Sequence, residues 1–326
     1  MNERPIPAQR DGAENAGDDS LFCDGLPTVA DPGLGTVLVT GAGGYIGGRL
    51  VPELAARGYR VRRMVRGRAP AGGERDPRIE TIAADALDRS GLAAALEGVD
   101  AAYYLIHSML LGPRRYAEAD ARAAQNFREE AARAGVRRII YLGGLGDASR
   151  DLSYHLRSRM EVARELRAGA VPVTILRAAI IIGSGSASFE IIKNLVLKLP
   201  VILVPRWAGS LCQPIAIRDV IKYLVGVLES GAAAGKTFDI GGPDVLSYRD
   251  MMRTAADVLG RRRLFVPFPP ASLRAFAYAA SLLTPVPAPI TISLLGALKN
   301  DVVCREDAIR RLLPFEPLDF RDALER

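Results

Sequence analysis

The chain has 326 residues, 49% of them hydrophobic and 25% charged, with a formal net charge of +6, a pI near 9.4 and a mean hydropathy of +0.10. This composition suits a globular fold with a sizeable core and excludes a collagen-like or wholly disordered chain. No apolar run approaches the roughly 20 residues of a membrane span, and the first residues lack the apolar core of a signal peptide, so a cytoplasmic protein without a transmembrane segment is expected.

Cys23, Cys212 and Cys304 are isolated and odd in number, which excludes a disulfide framework and a CxxC metal site. His107 and His155 are the only histidines, so no histidine-built metal site is expected. The positive charge is nearly all arginine, scattered beside Asp and Glu, and aromatics make up 6% of the chain. Stacking platforms for bases are therefore scarce, and no nucleic-acid partner is expected.

In chain order, residues 1–34 are rich in Gly, Pro, Asp and Asn without periodicity. They read as a disordered tail. Then comes Val37-Leu38-Val39-Thr40-Gly41-Ala42-Gly43-Gly44-Tyr45-Ile46-Gly47, an apolar strand running through a glycine-rich turn into an amphipathic helix over 49–57. In a dinucleotide site each glycine has a task. Gly41 permits the tight turn, Gly44 lets backbone approach a pyrophosphate, and Gly47 lets the helix pack on the sheet. The pyrophosphate would sit on free N–H groups at the positive end of the helix dipole. Pro52 should bend that helix, yet Leu50, Val51, Leu54 and Ala55 share one apolar face. A second strand at 60–65 arrives where a βαβ unit needs it.

A Pro/Gly-rich loop spans 69–77. Strand 79–83 ends at Asp85, helix 90–96 follows, and 101–106 is a buried strand. Helix 116–135 stops at Gly135. Strand 138–142 leads into Gly143-Gly144, helix 155–168 comes next, and strand 173–182 runs into Gly183. Strand–helix alternation of this kind predicts an α/β fold with a doubly wound parallel sheet. Further helices are expected over 189–199, 219–228, 248–259, 271–283 and 290–298, with a strand at 237–240. The later, proline-punctuated helices read as a small cap over the strand ends. Its apolar side chains suit core packing first, and a greasy substrate or a partner surface second.

These motifs resemble the extended and atypical short-chain dehydrogenase/reductases. The resemblance rests on Thr40-Gly41-x-x-Gly44-x-x-Gly47, Ala84-Asp85, Tyr104-Leu105-Ile106-His107, Tyr141-Leu142-Gly143-Gly144, Leu176-Arg177-Ala178, Gln213-Pro214-Ile215 and Asp239-Ile240-Gly241-Gly242-Pro243. It covers about 35–326 and is nearest the NAD(P)H-binding subgroup of NmrA-like sensors and relatives of a complex I accessory subunit. It implies a Rossmann sheet of order 3-2-1-4-5-6-7. The expected division is 35–183 with 212–242 as the NAD(P)-binding domain, and 184–211 with 243–326 as the substrate or cap region. It further implies cofactor contacts from Thr40, Gly41, Gly43, Gly44, Tyr45, Ile46, Gly47, Leu105, Ile106, His107, Gly143 and Ala178, and from Asp85 and Ala86 at the adenine.

Charge argues for NADP(H) over NAD(H). NAD binders hold the ribose hydroxyls with an acidic residue after the second strand. Here that region carries Arg63, Arg66 and Arg68 and no acid before Glu74. A guanidinium can bond a 2′-phosphate in bidentate fashion.

Active members of the family pair a tyrosine with a lysine four residues on. No lysine precedes Lys193 in this chain. Aligning Ser158-Arg159 with the family's Ser-Lys segment puts Arg159 at the lysine and His155 at the tyrosine. Side chains four apart share a helix face. Two readings stay open. His155 donates a proton, Arg159 holds the ribose and His107 is a second candidate, giving an oxidoreductase for a small hydrophobic substrate. Alternatively there is no proton relay: the fold either transfers hydride to a substrate that needs no strong acid, or binds NADPH without catalysis, as a redox sensor or as an assembly factor docking a peripheral membrane or protein partner. An epimerase would need the missing Tyr-Lys pair.

Overall fold

The computed structural model describes residues 21–67, 76–108, 113–146, 153–268 and 273–326. Its first half contains β1 (Thr36–Val39), α1 (Gly47–Ala56), β2 (Arg60–Val65), β3 (Ile79–Ala83), α2 (Arg89–Leu96), β4 (Val99–Tyr104), α3 (Pro113–Arg133), β5 (Arg138–Gly144), α4 (Tyr154–Arg167) and β6 (Val173–Ala178). There follow β7 (Ile181–Ile182), α5 (Ala187–Lys198), β8 (Val201–Pro205), β9 (Leu211–Cys212), β10 (Ile215–Ala216), α6 (Ile217–Glu229), β11 (Thr237–Ile240) and β12 (Leu246–Ser247). The last elements are α7 (Tyr248–Val258), β13 (Leu264–Phe268), α8 (Leu273–Leu283), α9 (Ala288–Ala297), α10 (Ala308–Leu312) and α11 (Phe320–Glu325).

Successive side chains on a strand point to opposite faces, and here both faces are apolar. Val37, Val39, Ala101, Tyr103, Ile140 and Leu176 pack against α1 and α6. Leu38, Ala102, Tyr104, Ile139, Tyr141 and Ile175 pack against α2, α3 and α4. Burial on both sides is why these strands read as near-continuous apolar runs. The seven-stranded parallel sheet has the order β3-β2-β1-β4-β5-β6-β11. With β11 as its seventh strand, this is the order the family resemblance implies. Pro52 is accommodated inside α1 on its exposed side.

The strand expected over 173–182 divides. After Ala178 the chain leaves the main sheet, and Ile181 and Ile182 pair with Ile215 and Ala216. The parallel pair of β8 and β13 is absent from the sequence reading, because Pro205 and Pro267 mask its strands. Pro is tolerated at such sheet edges. Arg68 and the loop around it lie outside the described residues.

The expected disordered tail needs correction. Residues 1–20 lie outside the described residues, but 21–34 pack against the sheet domain. Cys23 and Leu26 are buried, and the Phe22 and Cys23 N–H groups donate to the Glu53 carboxylate. The Asp31 N–H donates to Tyr59 Oη at 2.9 Å. Arg57 pairs with the fully buried Glu229 at 2.6 Å and also donates to the Thr28 carbonyl. Glu53 and Glu229 are buried acceptors, and the segment supplies donors that satisfy them.

A second correction concerns 302–313, grouped with the cap by sequence. Val302 bridges to Cys212. Ile309 and Leu313 join the core beneath α1 and α6, and Asp239 on β11 accepts from the Arg305 N–H at 3.0 Å. The stretch up to Leu313 therefore returns to the main sheet, whereas Phe320 and Ala323 on α11 stay with the cap cluster of Tyr248 and Met251.

Removing one partner of a buried ion pair leaves an uncompensated charge. Arg57→Ala is expected to cost about 3 kcal/mol in chemical denaturation, and to raise amide exchange across 21–34 before the core strands respond.

Candidate functional site

The sheet order reverses between β1 and β4, and the chain there is held at backbone distance. Gly41 has φ +63°, and a Cβ on it would lie 2.8 Å from the Leu105 carbonyl oxygen. A Cβ on Gly47 would lie 2.5 Å from the Gly41 oxygen and 2.7 Å from Ala42 Cα. These obstacles are backbone and cannot swing aside. Thr40 is fully buried. Its hydroxyl donates to the Tyr103 carbonyl at 2.9 Å and accepts from the Leu105 N–H at 3.0 Å, clamping β1 to β4. On the other side, the Ala42 N–H donates to Met64 O at 3.2 Å, and Gly43 opens toward Val65. Helix α1 then begins with no side-chain cap and no acid in its first turn. Its positive end faces the crevice, as an anion requires.

Parallel strands bring the other candidate residues to the same edge of the sheet. Arg66 follows β2 and is exposed, whereas Arg63 lies within β2 and is half-buried. Asp85 and Ala86 follow β3. The Asp85 carboxylate accepts from the Leu87 N–H at 2.9 Å, which makes it a turn residue whatever else it binds. Leu105, Ile106 and His107 follow β4, Gly143 lies in the last turn-side residues of β5, and Ala178 ends β6. Tyr45 reaches toward the cap. Arg49 stacks 4.3 Å from its ring centroid, and a Cβ on Gly183 would lie 2.5 Å from its hydroxyl. That hydroxyl is buried without a hydrogen-bond partner, and burial raises its pKa.

The three catalytic candidates converge. Arg159 packs its stem against Gly144 and is buried. Tyr141 Oη donates to its carbonyl at 3.1 Å. Burial, then the Arg159 guanidinium and His107, depress the His155 pKa to about 3. The start of helix α4 also disfavours a cation there. His107 is depressed by the surrounding protein and by Arg159. Its open side toward solvent limits that depression through screening. Both rings are therefore neutral at neutral pH. The expectation of His155 as a proton donor narrows accordingly: the ring can offer an N–H hydrogen bond but does not carry an imidazolium proton. Tyr154, one residue back, is 59% exposed and lies outside this cluster.

Asp120 is the residue sequence reasoning missed. It lies on α3, 1% exposed, with a carboxylate oxygen 3.9 Å from the Arg159 guanidinium. Burial raises its pKa against the pull of Arg159 and of the neighbouring Ser108 and Ser158. A signal was present. Asp120 occupies the same helical face as Ala123, Ala124 and Phe127, where a carboxylate is out of pattern.

The cap holds an apolar cavity of about 190 Å³, lined by Ile191, Leu195, Leu203, Met252, Phe276 and Leu283 among others. Among the described residues no group of three His, Cys, Asp or Glu side chains could hold a metal ion, and no helix is long and apolar enough to cross a membrane.

Residues 41–194 match a family model described as NAD(P)H-binding. They form an NAD(P)H-binding domain. Its surroundings have the architecture of the extended short-chain dehydrogenase/reductases and epimerases. A nucleoside-diphosphate-sugar epimerase from Staphylococcus aureus superposes with TM-score 0.74 at 15% identity, covering 89% of this chain and 100% of that one. A Citrobacter sp. triphenylmethane reductase complexed with NADP(H) gives TM-score 0.71 at 18% identity, covering 89% and 99%. Subunit 9 of the NADH dehydrogenase 1 alpha subcomplex from Arabidopsis thaliana is 26% identical over 57% of this chain and 47% of its own length. A ceramide reductase from Caulobacter vibrioides is 29% identical over 74% of this chain and 76% of its own. The chain thus spans about half the length of the first of these two relatives.

In a folded ring of pKa about 3 against about 6.5 unfolded, the proton binds more tightly to the unfolded chain. The stability from keeping His155 neutral is complete above pH 6.5 and is lost as pH falls toward 3. With two histidines in the chain, both Cε1 resonances can be followed by heteronuclear NMR. The His155 resonance is expected not to shift between pH 5 and 8, and a midpoint near 6.5 would refute the neutral-ring reading.

Proposed function

We propose that the chain is an NADP(H)-dependent oxidoreductase that reduces a small apolar substrate. The observation that carries this reading is the backbone cradle at Gly41 and Gly47, which a Cβ would fill, opening on the same sheet edge as His107, Gly143 and Ala178. In this reading Gly43, Gly44, Tyr45 and Ile46 complete the pyrophosphate turn, Arg66 takes the 2′-phosphate with Arg63 behind it, and Asp85 and Ala86 line the adenine. Leu105 and Ile106 flank the adenosine side of the crevice, and Arg159 lies where the family's lysine holds the nicotinamide ribose. Bound NADPH would supply a hydride to an electrophilic carbon of the substrate.

The protein's share of the chemistry is orientation and polarisation. A neutral imidazole N–H, from His155 or from His107, holds the substrate oxygen on which charge develops, as a neutral histidine does in triosephosphate isomerase. Solvent reaching His107 delivers the proton that completes the reduction. The cavity walls exclude water from the apolar body of the substrate. The reductase relatives support this direction of reaction, and the NADP(H)-bound reductase neighbour supports the choice of cofactor.

One observation favours a second reading, a non-catalytic NADPH sensor or assembly factor. No lysine precedes Lys193 and both imidazoles are neutral, so a proton relay of the family's kind is missing. The relative named as a subunit of a larger dehydrogenase complex fits this second reading.

The test pairs two measurements on one sample. Nicotinamide fluorescence titrations with NADPH and NADH give the preference. Oxidation of bound NADPH is then followed against quinones, enones and aldehydes. Turnover on any class supports the reductase, and tight binding without oxidation supports the sensor. Arg66→Asp is expected to weaken NADPH binding by about 1.5–3 kcal/mol, the size of a charged hydrogen bond, while leaving NADH binding unchanged. Equal NADPH affinity in that variant would remove Arg66 from the site.

A further inference from the structure

The pair of β8 and β13 buries one face and exposes the other. Ile202 and Val204 are 2% exposed and belong to the cap core, whereas Val201, Leu203 and Leu264 are 43%, 39% and 61% exposed. The register sets Leu264 beside Val201 and Val266 beside Leu203, so the outer face presents four aliphatic side chains. A strand buried on one side ordinarily alternates with polar residues on the other. Leu197, at the end of α5, adds a further exposed leucine.

This apolar face has a basic rim. Arg261 and Arg262 are exposed immediately before β13. Arg263 donates to the Val196 carbonyl at 2.6 Å and to the Leu197 carbonyl at 3.1 Å, which fixes the three-arginine run against the end of α5. Lys198 donates to Leu283 O at 2.6 Å, joining the same corner to α8, whose outer side exposes Tyr278 and Leu282. Asp257, exposed on the last turn of α7, is the acidic group nearest the arginine run in sequence. Four cations thus stand beside a patch of aliphatic side chains.

We propose that the outer face of β8 and β13, with Lys198 and Arg261, Arg262 and Arg263 as its rim, docks on an anionic phospholipid surface. The charge complements lipid phosphate, and aliphatic side chains beside arginine and lysine are the pattern of interfacial binding. The cavity argues for a bilayer over an acidic protein. Leu203 both lines the cavity and stands exposed on the docking face, so the cavity lies directly behind that face. A wholly apolar ligand for such a cavity is concentrated in a membrane and nearly absent from water. The proposal concerns the surface alone and stands whether or not the cradle supports hydride transfer.

The full chain would be floated with vesicles of phosphatidylcholine, with and without 30% phosphatidylglycerol, at low and high salt. Binding is expected only to the anionic vesicles and is expected to fall at least tenfold at high salt. Two variants test the two halves of the surface. Leu264→Asp changes an exposed side chain, and the double variant Arg261→Ser/Arg262→Ser removes two rim charges. Each is expected to lose at least tenfold in vesicle affinity with an unchanged circular dichroism spectrum and unchanged NADPH titration. No binding to anionic vesicles, or binding that neither variant weakens, would overturn the proposal. So would a dimer in light scattering that Leu264→Asp dissolves, which would assign the face to a second copy of the chain.

Discussion

The structure depends on three backbone segments meeting without side chains between them. The turn at Gly41, the start of α1 at Gly47 and the exit of β4 at Leu105 approach so closely that a single Cβ at 41 or 47 would strike main-chain atoms. Thr40 makes the approach tolerable. Its buried hydroxyl answers one carbonyl and one N–H of β4, so no polar group is stranded at the crossing. What remains in the crevice is backbone N–H and the positive end of a helix. That is a site for an anionic, extended ligand before any side chain is considered. Every other candidate residue is placed by the same constraint, because parallel strands pinned at this crossing deliver their loops to one edge.

Arg159 is the buried cation beside both histidines. Its partner, Asp120, stands 3.9 Å away, too far for a good hydrogen bond. The compensation is incomplete, and the residual positive field falls on both histidines. In the family pattern a lysine at this position lowers the pKa of a tyrosine and so prepares an acid. Here burial first, and then the Arg159 cation, keep two imidazoles neutral. The substrates that suit the second arrangement are those whose developing oxyanion needs holding more than immediate protonation.

The doubly wound sheet was legible because its strands are buried on both faces and its helices on one. That difference in period is written directly into residues 36–178. The glycine turn was legible for a similar reason, since each glycine answers a local steric need. The rest depended on distant partners. Residues 21–34 have no pattern of their own, and they order because Glu53 and Glu229 need donors. β8 and β13 are about 60 residues apart and each contains a proline, so neither reads as a strand until the other is beside it. Asp120 was hidden by its surroundings. In an alanine-rich helix a carboxylate reads as a solvated residue unless its phase against Phe127 is checked, and its true partner lies on another helix.

Helix α4 joins the two halves of the molecule. One side carries His155 and Arg159 toward the sheet edge. The other packs on α9 of the cap, and Leu156 belongs to the same apolar cluster as Ile192, Ile202 and Tyr248. Ile192, Ile202 and Tyr248 also line the cavity. Leu156 lies one residue from His155 and packs against Gly144. The cavity and the segment that carries His155 thus meet in one apolar cluster through one helix.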